Sequence, residues 1–283
     1  MIDKHELDQL IEKALQEDVR DGDHTSLAAL EKDSTGSAQL LVKEDGIICG
    51  IPVALAIFQK VDSDLTVKCN YTDGAYVQKG DIILTVYGNA ISILTAERLV
   101  LNCMQRMSGI ATITNAYVKA IEGTRAKVMD TRKTTPNLRF LEKYAVTVGG
   151  GCNHRFGLYD MILLKDNHID FCGGITKAIS KAHHYLEQTH LKLAIEVETR
   201  SIEDVKEVLE CGGIDRIMLD NFTPKKVKEA IELINGRFDT EASGGITLET
   251  IRKFAETGVN YISVGALTHS VKSLDLSLKA EII

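Results

Sequence analysis

The stretch LAIEVETRSIEDVKEVLECGGIDRIMLDN (residues 193–221) contains one complete strand–helix–strand unit. An apolar run, Leu193–Val197, ends at Glu198, and a helical segment follows in which Ser201 and Asp204 form a capping pattern. A second run, Arg216–Leu219, ends at Asp220-Asn221, and Thr223 before Pro224 is expected to cap the helix that follows, as Thr247 is for the next one. Two strand-like runs joined by a helix predict a parallel pair, because the chain must cross over before it can run again in the same direction.

The same unit recurs through the second half of the chain. The strand-like runs are Lys127–Met129, Met161–Leu164, Leu193–Val197, Arg216–Leu219, Thr240–Ala242 and Tyr261–Val264. The last four end near positions 198, 220, 243 and 265, in steps of 22, 23 and 22 residues, which is one strand plus one helix per step. This repetition predicts a parallel sheet or barrel. We favour a (β/α) barrel, because polar groups follow nearly every strand; an open doubly wound sheet is the alternative, although no G-x-G-x-x-G follows a strand.

The first third of the chain has a different pattern. Apolar residues at helical spacing follow a cap at Asp3 and predict one amphipathic helix, and residues 17–26 are expected to form a loop. Short β-rich runs then predict a small sheet domain: Ala38–Val42, Leu65–Tyr71, Ile82–Val86 and Ile91–Leu94. The turn at 73–81 resembles biotinyl or lipoyl carrier hairpins, but we interpret Lys79 as an exposed turn lysine. A long helix over Ala96–Val118 is expected to join the two domains, with a boundary near residue 110.

Composition excludes several classes of protein. The chain has 283 residues, 44% hydrophobic and 26% charged, which is average for a soluble globular protein. The net charge of −7 gives no sign of a nucleic-acid partner. Six cysteines without a C-x-x-C pair predict neither a zinc site nor a disulfide framework. We find neither a membrane-spanning run nor a signal peptide and expect a cytoplasmic protein.

Three sets of residues at the strand ends suggest a site for an anionic ligand. Ser243, Gly244, Gly245 and Gly265 follow the last two strands, where backbone N–H groups can approach a phosphate, and the first three are expected to lead directly into a helix. Arg132, Lys133, His154, Arg155 and Lys165 can neutralise several negative charges in one cavity. Glu198 and Asp220 can hold ribose hydroxyls or Mg²⁺, or stabilise a sugar cation. Because Glu196 alternates with Glu198 along the strand, we expect only one of them to face the cavity and choose Glu198, with Glu196 as a candidate orienting partner.

Eight ordered motifs resemble those of the quinolinate phosphoribosyltransferase family, also called nicotinate-nucleotide pyrophosphorylase (carboxylating). They are Ala96–Arg98 with Asn102, Ser108–Thr112, Asp130–Pro136, Asn153–Arg155, Leu164–His168, Glu196–Glu198, Leu219–Phe222 and Glu241–Ile246. Each motif is only suggestive by itself, whereas the ordered set covers almost the whole chain and is specific.

The resemblance implies a reaction and a fold. Quinolinate and phosphoribosyl pyrophosphate would give nicotinate mononucleotide, pyrophosphate and CO₂, with Mg²⁺, in NAD biosynthesis. The fold would be an N-terminal α/β sandwich (1–110, with 268–283 returning to it) plus an incomplete (β/α) barrel (111–267). The protein would be a homodimer or higher homo-oligomer, in which the N-terminal domain of one subunit covers the barrel mouth of another.

The resemblance also assigns roles by position. For quinolinate these are Arg98 (from the partner subunit), Thr131, Arg132, His154, Arg155 and Lys165. For phosphoribosyl pyrophosphate they are Lys133, Lys165, Glu198, Asp220, Ser243, Gly244, Gly245 and Gly265. Lys133, Lys165, Glu198 and Asp220 would be the catalytic residues, and Glu198 and Asp220 would also hold Mg²⁺, directly or indirectly. Arg106 receives no role.

Three rival functions share parts of this pattern. A phosphoribosyltransferase that acts on nicotinate needs fewer cations, because its substrate has one carboxylate. A related protein associated with molybdate transport operons shares the scaffold. A non-catalytic phosphosugar-binding protein would bind ligand and release neither pyrophosphate nor CO₂; the complete set of carboxylates argues against it.

Overall fold

The protein, a computed structural model that describes residues 2–281, forms two compact units. The first contains the chain up to Asn115, Thr135–Gly150 and the chain from Ser270 onward; the second contains Ala116–Thr134 and Gly151–His269. Residues 135–150 therefore differ from the sequence-based division, which placed them in the barrel domain. Hydrogen bonds from Arg106 to Glu142 and from Tyr144 to Asp73 attach this segment to the first unit.

The first unit is built on an antiparallel sheet. Its strands are β1 (Thr35–Val42), β2 (Gly46–Ile47), β3 (Thr66–Cys69), β4 (Tyr76–Val77), β5 (Ile82–Asn89) and, late in the chain, β12 (Leu276–Glu281). Its helices are α1 (Lys4–Asp18), α2 (His24–Ala29), α3 (Ile51–Val61), most of α4 (Ala90–Ala120) and α5 (Arg139–Val148). Four strands pair in the order β12–β1–β5–β3, and β2 pairs with β4. The last described strand thus lies beside the first, where the resemblance put the C-terminal tail.

Two expectations for this unit are wrong, and the reason is helix capping. Residues Ile91–Leu94 belong to α4 rather than to a strand, because the Asn89 side chain accepts hydrogen bonds from the Ile91 and Ser92 N–H groups. The expected loop at 17–26 contains the start of α2, which Asp23 caps. The sequence analysis also missed α3, whose cap is remote in sequence: Asp73 accepts hydrogen bonds from the N–H groups of Gly50 and Ile51.

No helix within residues 2–281 is long and apolar enough to cross a membrane.

The second unit contains a six-stranded parallel sheet. Its strands are β6 (Lys127–Met129), β7 (Ile162–Leu164), β8 (Ile195–Thr199), β9 (Arg216–Asp220), β10 (Asp239–Ser243) and β11 (Tyr261–Ser263). Its helices are α6 (Asp166–Cys172), α7 (Ile175–Thr189), α8 (Ile202–Cys211), α9 (Pro224–Ile234), α10 (Ile251–Ala255) and α11 (Ala266–His269). Two of the three expected caps are confirmed, since the side chains of Ser201 and Thr223 accept from the N–H groups of Asp204 and Lys226. The cap expected at Thr247 is wrong, because α10 begins after Thr250 and has no side-chain cap hydrogen bond.

The strand order, β6–β11–β10–β9–β8–β7, distinguishes the barrel from the doubly wound alternative. Sequential parallel strands with right-handed crossovers place the helices on one face, as in a barrel. The first strand, β6, pairs with the last, β11, which begins to close the ring. Among the described residues β6 has no pairing with β7; an isolated bridge from Met129 to Cys152 lies there instead. The expected incomplete α/β barrel is confirmed.

The two faces of this sheet have opposite chemistry. Val197, Ile217, Leu219 and Ala242 are buried on the side of the helices. Their neighbours along the strands belong to the other face, and the register places Glu196 beside Arg216 and Met218 beside Glu241. The interior of the incomplete barrel is therefore lined by charged side chains.

A prediction for stability concerns the C-terminal segment of the first unit. A Cβ added at Gly109 in α4 would overlap the carbonyl oxygen of Lys272 and lie 3.1 Å from the Cα of Ser273. We expect Gly109→Ala to lower the free energy of unfolding by about 1–3 kcal/mol, because the segment must move. Gly36→Ala is the matched control, since a Cβ there meets nothing within 4 Å. Denaturant unfolding measures both; equal stabilities would show that the segment adapts freely.

Candidate active site

The carboxyl ends of the parallel strands bring the expected charged residues to one edge of the sheet. Lys165 follows β7 and precedes α6, Glu198 lies near the end of β8, and Asp220 ends β9. The Asp166 N–H donates to Glu198 Oε1 at 3.4 Å, so the turn after β7 contacts the carboxylate on β8. Three residues from three consecutive strands therefore lie together.

The carboxylates of Glu198 and Asp220 lie close enough for their negative charges to interact. Burial raises the pKa of Glu198, the negative charge of Asp220 raises it further, and the positive charge of Lys165 opposes both effects. Two carboxylates that repel each other are stabilised by an added cation. The pair is therefore suited to bind Mg²⁺ or to face a developing sugar cation.

The expectation that Glu196 and Glu198 lie on opposite sides of the sheet is wrong. Side chains alternate with a period of two along a strand, so residues 196 and 198 share a face. Both are buried, and burial raises the pKa of Glu196; the charge of Glu198 raises it further, as expected for carboxylates on one side. Glu196 lies one layer deeper in the barrel interior than Glu198, since its register partner is Arg216 and that of Glu198 is Met218.

Glu196 belongs to a buried charged cluster that the sequence did not predict. Its Oε2 lies 3.1 Å from His154 Nε2, and Glu241 Oε2 lies 3.6 Å from the same nitrogen. Arg216 Nη1 lies 3.2 Å from Glu241 Oε2 and 3.7 Å from Glu196 Oε2. The Arg216 guanidinium also stacks on Tyr261, 4.2 Å from the ring centroid. Period-two alternation along β8, β9 and β10 was the signal that could have placed Glu196, Arg216 and Glu241 on this face.

This cluster has the ligands of a metal site but already contains a cation. His154, Glu196 and Glu241 each offer one ligand atom, all within 4.8 Å of one another. Arg216 occupies the position of the positive charge, because its guanidinium contacts both carboxylates. Burial and the charge of Glu196 raise the pKa of Glu241 to about 8, so Glu241 is mostly protonated at neutral pH. A network balanced by Arg216 and one proton fits these residues better than a metal centre.

The position of His154 is set by the backbone around it. Its N–H donates to Oδ1 of the fully buried Asp130, just after β6. The N–H of Arg155 donates to His154 Nδ1 at 2.6 Å, so Nδ1 is an unprotonated acceptor and the ring proton lies on Nε2, facing Glu196. The structure thus places His154 against carboxylates in the barrel interior and directly beside Arg155.

Arg132 and Arg155 lie close enough to repel each other. Burial lowers the pKa of Arg155, and the positive charge of Arg132 lowers it further. Buried Arg132 Nε has no hydrogen-bond partner within the described chain. Two neighbouring, half-buried guanidinium groups are suited to a ligand with more than one negative charge. Thr131 lies beside them, and its Oγ1 accepts from the Lys133 N–H.

The glycine-rich turns after β10 and β11 lie near Lys133. A Cβ added at Gly265 would be 3.1 Å from Lys133 Cδ, so the lysine side chain packs against this turn. Gly244 and Gly245 have φ angles of +98° and +59°, which L side chains rarely adopt. The helix expected to begin directly after Gly245 begins only at Ile251, because Thr247–Thr250 form a separate turn. Any phosphate contact here therefore comes from the turns and Lys133 rather than from a helix N-terminus.

Two arginines of the long helix α4 belong to the first unit. Arg98 is exposed. Arg106, to which the sequence gave no role, binds Oε1 of Glu142 through Nε and Nη2, at 3.1 and 2.8 Å. Oε2 of the buried Glu142 accepts from the Thr135 N–H. Arg106 therefore anchors the segment that follows the Asp130–Lys133 motif.

Known proteins match the chain over almost its whole length. Residues 23–108 match the N-terminal domain of the family described as quinolinate phosphoribosyl transferase, and residues 110–279 match its C-terminal domain. Quinolinate phosphoribosyltransferase (decarboxylating) 2, mitochondrial, from Nicotiana glauca is 50% identical, with 98% of this chain and 83% of that protein covered. The probable nicotinate-nucleotide pyrophosphorylase (carboxylating) of Bacillus subtilis is 45% identical, covering 96% of this chain and 93% of that one.

A solved structure shows the same fold. NadC from Streptococcus pyogenes is 42% identical with a TM-score of 0.95, and the match covers 100% of this chain and 99% of that one. Fold and site together thus define a phosphoribosyltransferase. The chain belongs to the quinolinate phosphoribosyltransferase family.

A pH dependence of stability follows from the pKa of Glu241. The usual pKa of 4.5 rises to about 8 in the folded state, so the folded protein holds this proton more tightly than the unfolded chain. The free energy of unfolding should therefore fall as the pH rises between these two values. We expect Glu241→Gln to show a smaller fall over this range, because the glutamine stays neutral. Urea unfolding at a series of pH values checks this, with exposed Glu203→Gln as control; identical slopes for parent and Glu241→Gln would contradict the assignment.

Proposed function

We propose that this protein transfers the phosphoribosyl group of phosphoribosyl pyrophosphate to quinolinate, releasing pyrophosphate and CO₂ and forming nicotinate mononucleotide for NAD biosynthesis. The observation that carries the proposal is the separation of charge at one edge of the parallel sheet. Arg132 and Arg155 repel each other on one side, and Glu198 and Asp220 repel each other on the other, with Lys165 beside Glu198. The first pair suits a dicarboxylate, and the second suits a sugar that becomes positively charged.

The arginine pair supports quinolinate in preference to nicotinate. A ligand with one carboxylate would pair with one of the two guanidinium groups, whereas a dicarboxylate can pair with both and relieve their repulsion. Lys165, Thr131 and the partner subunit's Arg98 complete the proposed quinolinate site, and His154 lines it beside Arg155. Held in this way, the pyridine ring presents its nitrogen to the anomeric carbon of the ribose.

At the other end, protein groups hold the phosphoribosyl donor. Lys133 and the turns at Ser243–Gly245 and Gly265 receive phosphate groups, while Glu198 and Asp220 face the ribose. Positive charge builds on the ribose as pyrophosphate leaves with the electron pair of the C1–O bond. Fixed carboxylates stabilise this charge without reorganising at the moment of reaction.

The second half of the reaction uses the charge formed in the first. The nitrogen lone pair makes the new N–C1 bond and turns the ring into a pyridinium. The adjacent carboxylate then leaves as CO₂, its bonding electrons stay on the ring carbon stabilised by the positive nitrogen, and that carbon takes up a proton. The protein contributes alignment and charge placement, and it forms no covalent bond to either substrate.

We propose Glu198 and Asp220 as the residues that hold Mg²⁺. They fit the ion, because a cation relieves the repulsion that raises the pKa of Glu198. Two protein carboxylates are also typical for Mg²⁺, which keeps water and substrate oxygens as its other ligands. When bound, the ion would neutralise pyrophosphate and make it a better leaving group.

Turnover with defined substrates tests the function. Quinolinate, phosphoribosyl pyrophosphate and Mg²⁺ should give equal amounts of pyrophosphate and CO₂, and nicotinate should give neither. Turnover of nicotinate alone would keep the scaffold and overturn the substrate. Ligand binding without release of either product would favour the non-catalytic phosphosugar-binding protein.

Substitutions at the two charged sides should remove activity and keep the fold. We expect Lys165→Ala and Glu198→Ala each to lower kcat by orders of magnitude, because each removes a charge that faces the reacting atoms. Lys192→Ala and Glu203→Ala, at exposed positions outside the site, are the matched controls. Steady-state kinetics and circular dichroism measure the effects. Near-normal turnover in either site variant would contradict its role.

We also propose a homodimer, or a higher homo-oligomer, with shared active sites. Exposed Arg98 on α4 supports this, because the resemblance places it in the site of a partner subunit. Large apolar side chains in the segments around edge strand β7 are exposed as well: Leu158 by 72%, Tyr159 by 70% and Phe171 by 93%. Exposed apolar side chains of this kind are available to pack against a partner subunit.

Mixing inactive subunits tests the shared site. Arg98→Ala and Lys165→Ala should each be inactive alone, whereas co-expression should restore up to about one quarter of the parent sites, because a mixed dimer regains one intact site. Sedimentation must show that the mixed sample is oligomeric. If the mixture stays inactive although mixed oligomers form, Arg98 acts within its own subunit or has no role.

The cytoplasmic location stays a prediction. Some relatives carry the words mitochondrial or chloroplastic in their names. Fractionation of the cells that express this chain decides the matter directly.

A further inference from the structure

Asn221, which directly follows Asp220, has a left-handed backbone conformation, which is unusual for a residue other than glycine. Its φ angle is +57°, in the left-handed region that few residues other than glycine adopt. Asparagine tolerates this region better than most side chains, but glycine would adopt it without strain. An asparagine at an exposed turn with this φ angle indicates that its side chain makes contacts that a glycine could not make.

The Asn221 side chain makes such a contact with Asp220. Its Nδ2 donates to Asp220 Oδ2 at 2.5 Å. The backbone N–H of Asn221 donates to the carbonyl oxygen of Ser243 at 2.9 Å. The residue therefore joins the carboxylate at the end of β9 to the turn at the end of β10. Asp220 is the last residue of β9, Ser243 is the last residue of β10, and the two are register partners.

The other side of the same amide faces Gly244. A Cβ added at Gly244 would overlap Asn221 Oδ1, and it would lie 2.7 Å from Cγ and 2.8 Å from the backbone nitrogen of Asn221. The absence of a side chain at Gly244 thus makes room for the Asn221 amide. One amide fills the space between the Asp220 carboxylate and the Ser243–Gly245 turn.

We propose that Asn221 is a positioning residue that aligns the two ends of the phosphoribosyl pyrophosphate site. Its side-chain Nδ2 group orients the Asp220 carboxylate toward the ribose. Its backbone N–H and its Oδ1 atom hold the Ser243–Gly245 turn, which receives the phosphate, in place. This inference rests on the proposed function. It predicts that Asn221 affects the binding of phosphoribosyl pyrophosphate and leaves quinolinate binding unchanged, because Asn221 contacts none of the proposed quinolinate residues in the described hydrogen bonds.

The decisive variant is Asn221→Gly. Glycine keeps the left-handed backbone and its hydrogen bond to Ser243 but removes the amide, so the fold should be retained. We expect the Kd for phosphoribosyl pyrophosphate to rise about tenfold or more, because a charge-assisted hydrogen bond that orients Asp220 is lost. Calorimetric titration of phosphoribosyl pyrophosphate into the protein, with and without Mg²⁺, measures this independently of turnover.

A second variant separates charge from shape. Asn221→Asp keeps the size and the left-handed tolerance but replaces the donor by a second carboxylate beside Asp220. We expect it to raise the Kd for phosphoribosyl pyrophosphate at least as much as the glycine variant, while Asn235→Gly, at another left-handed asparagine outside the site, leaves the Kd unchanged. In both Asn221 variants the KM for quinolinate should stay within about twofold of the parent value.

The outcomes distinguish this inference from the function on which it rests. A parent protein that neither binds phosphoribosyl pyrophosphate nor turns over quinolinate would overturn the proposed function. A fully active parent with an Asn221→Gly variant of unchanged Kd would overturn only the role of Asn221. Equal losses for both substrates, with a lowered melting temperature, would show a general structural role and would also overturn it.

Discussion

The organisation of the site depends on the common direction of the six parallel strands in the second unit. Because every strand runs the same way, every carboxyl end meets the same edge of the sheet, and residues far apart in sequence become neighbours there. Lys165, Glu198 and Asp220 come from three consecutive strands, yet the charges of Lys165 and Asp220 both act on the pKa of Glu198. Reversing one strand would take its charged residue to the opposite edge, so the site depends on topology before it depends on any single contact.

A layer of charged side chains lies in the barrel interior, one layer deeper than the residues at this edge of the sheet. Burying carboxylates costs several kcal/mol each unless their charges are balanced, and here Arg216 and the proton on Glu241 supply the balance for Glu196 and Glu241. The arrangement also fixes His154, whose Nε2 faces Glu196 and whose Nδ1 accepts from the Arg155 backbone. A cluster that looks like a metal site is thus better understood as a charge-balanced network that fixes His154 next to the backbone of Arg155.

The electrostatics of the site contrast with those of the whole chain. The net charge is −7, yet the half-buried Arg132 and Arg155 lie close enough to repel each other. In the proposed reaction, local concentration of positive charge would let an acidic protein bind polyanionic substrates, and the separate carboxylate pair would keep negative potential where the sugar becomes cationic. The family relationship and this separation support the same reaction by independent arguments: the first from sequence similarity, and the second from physical chemistry.

The sequence by itself determined the local features. Regular spacing predicted the βα units, and Ser201 and Thr223 marked two helix starts. The strand ends identified Lys165, Glu198 and Asp220 as neighbours. The common face of Glu196 and Glu198 also follows from the period of two along a strand, although our prediction was wrong there. Only the tertiary structure decided the rest, because it depends on groups distant in the chain. Asp73 caps α3 from more than 20 residues away, Arg106 anchors Glu142 in a segment expected elsewhere, and Asp130 holds His154 beside carboxylates on two other strands. Hydrogen bonds and ion pairs of this kind need their atoms within about 4 Å of each other, so they exist only once folding has brought the partners together.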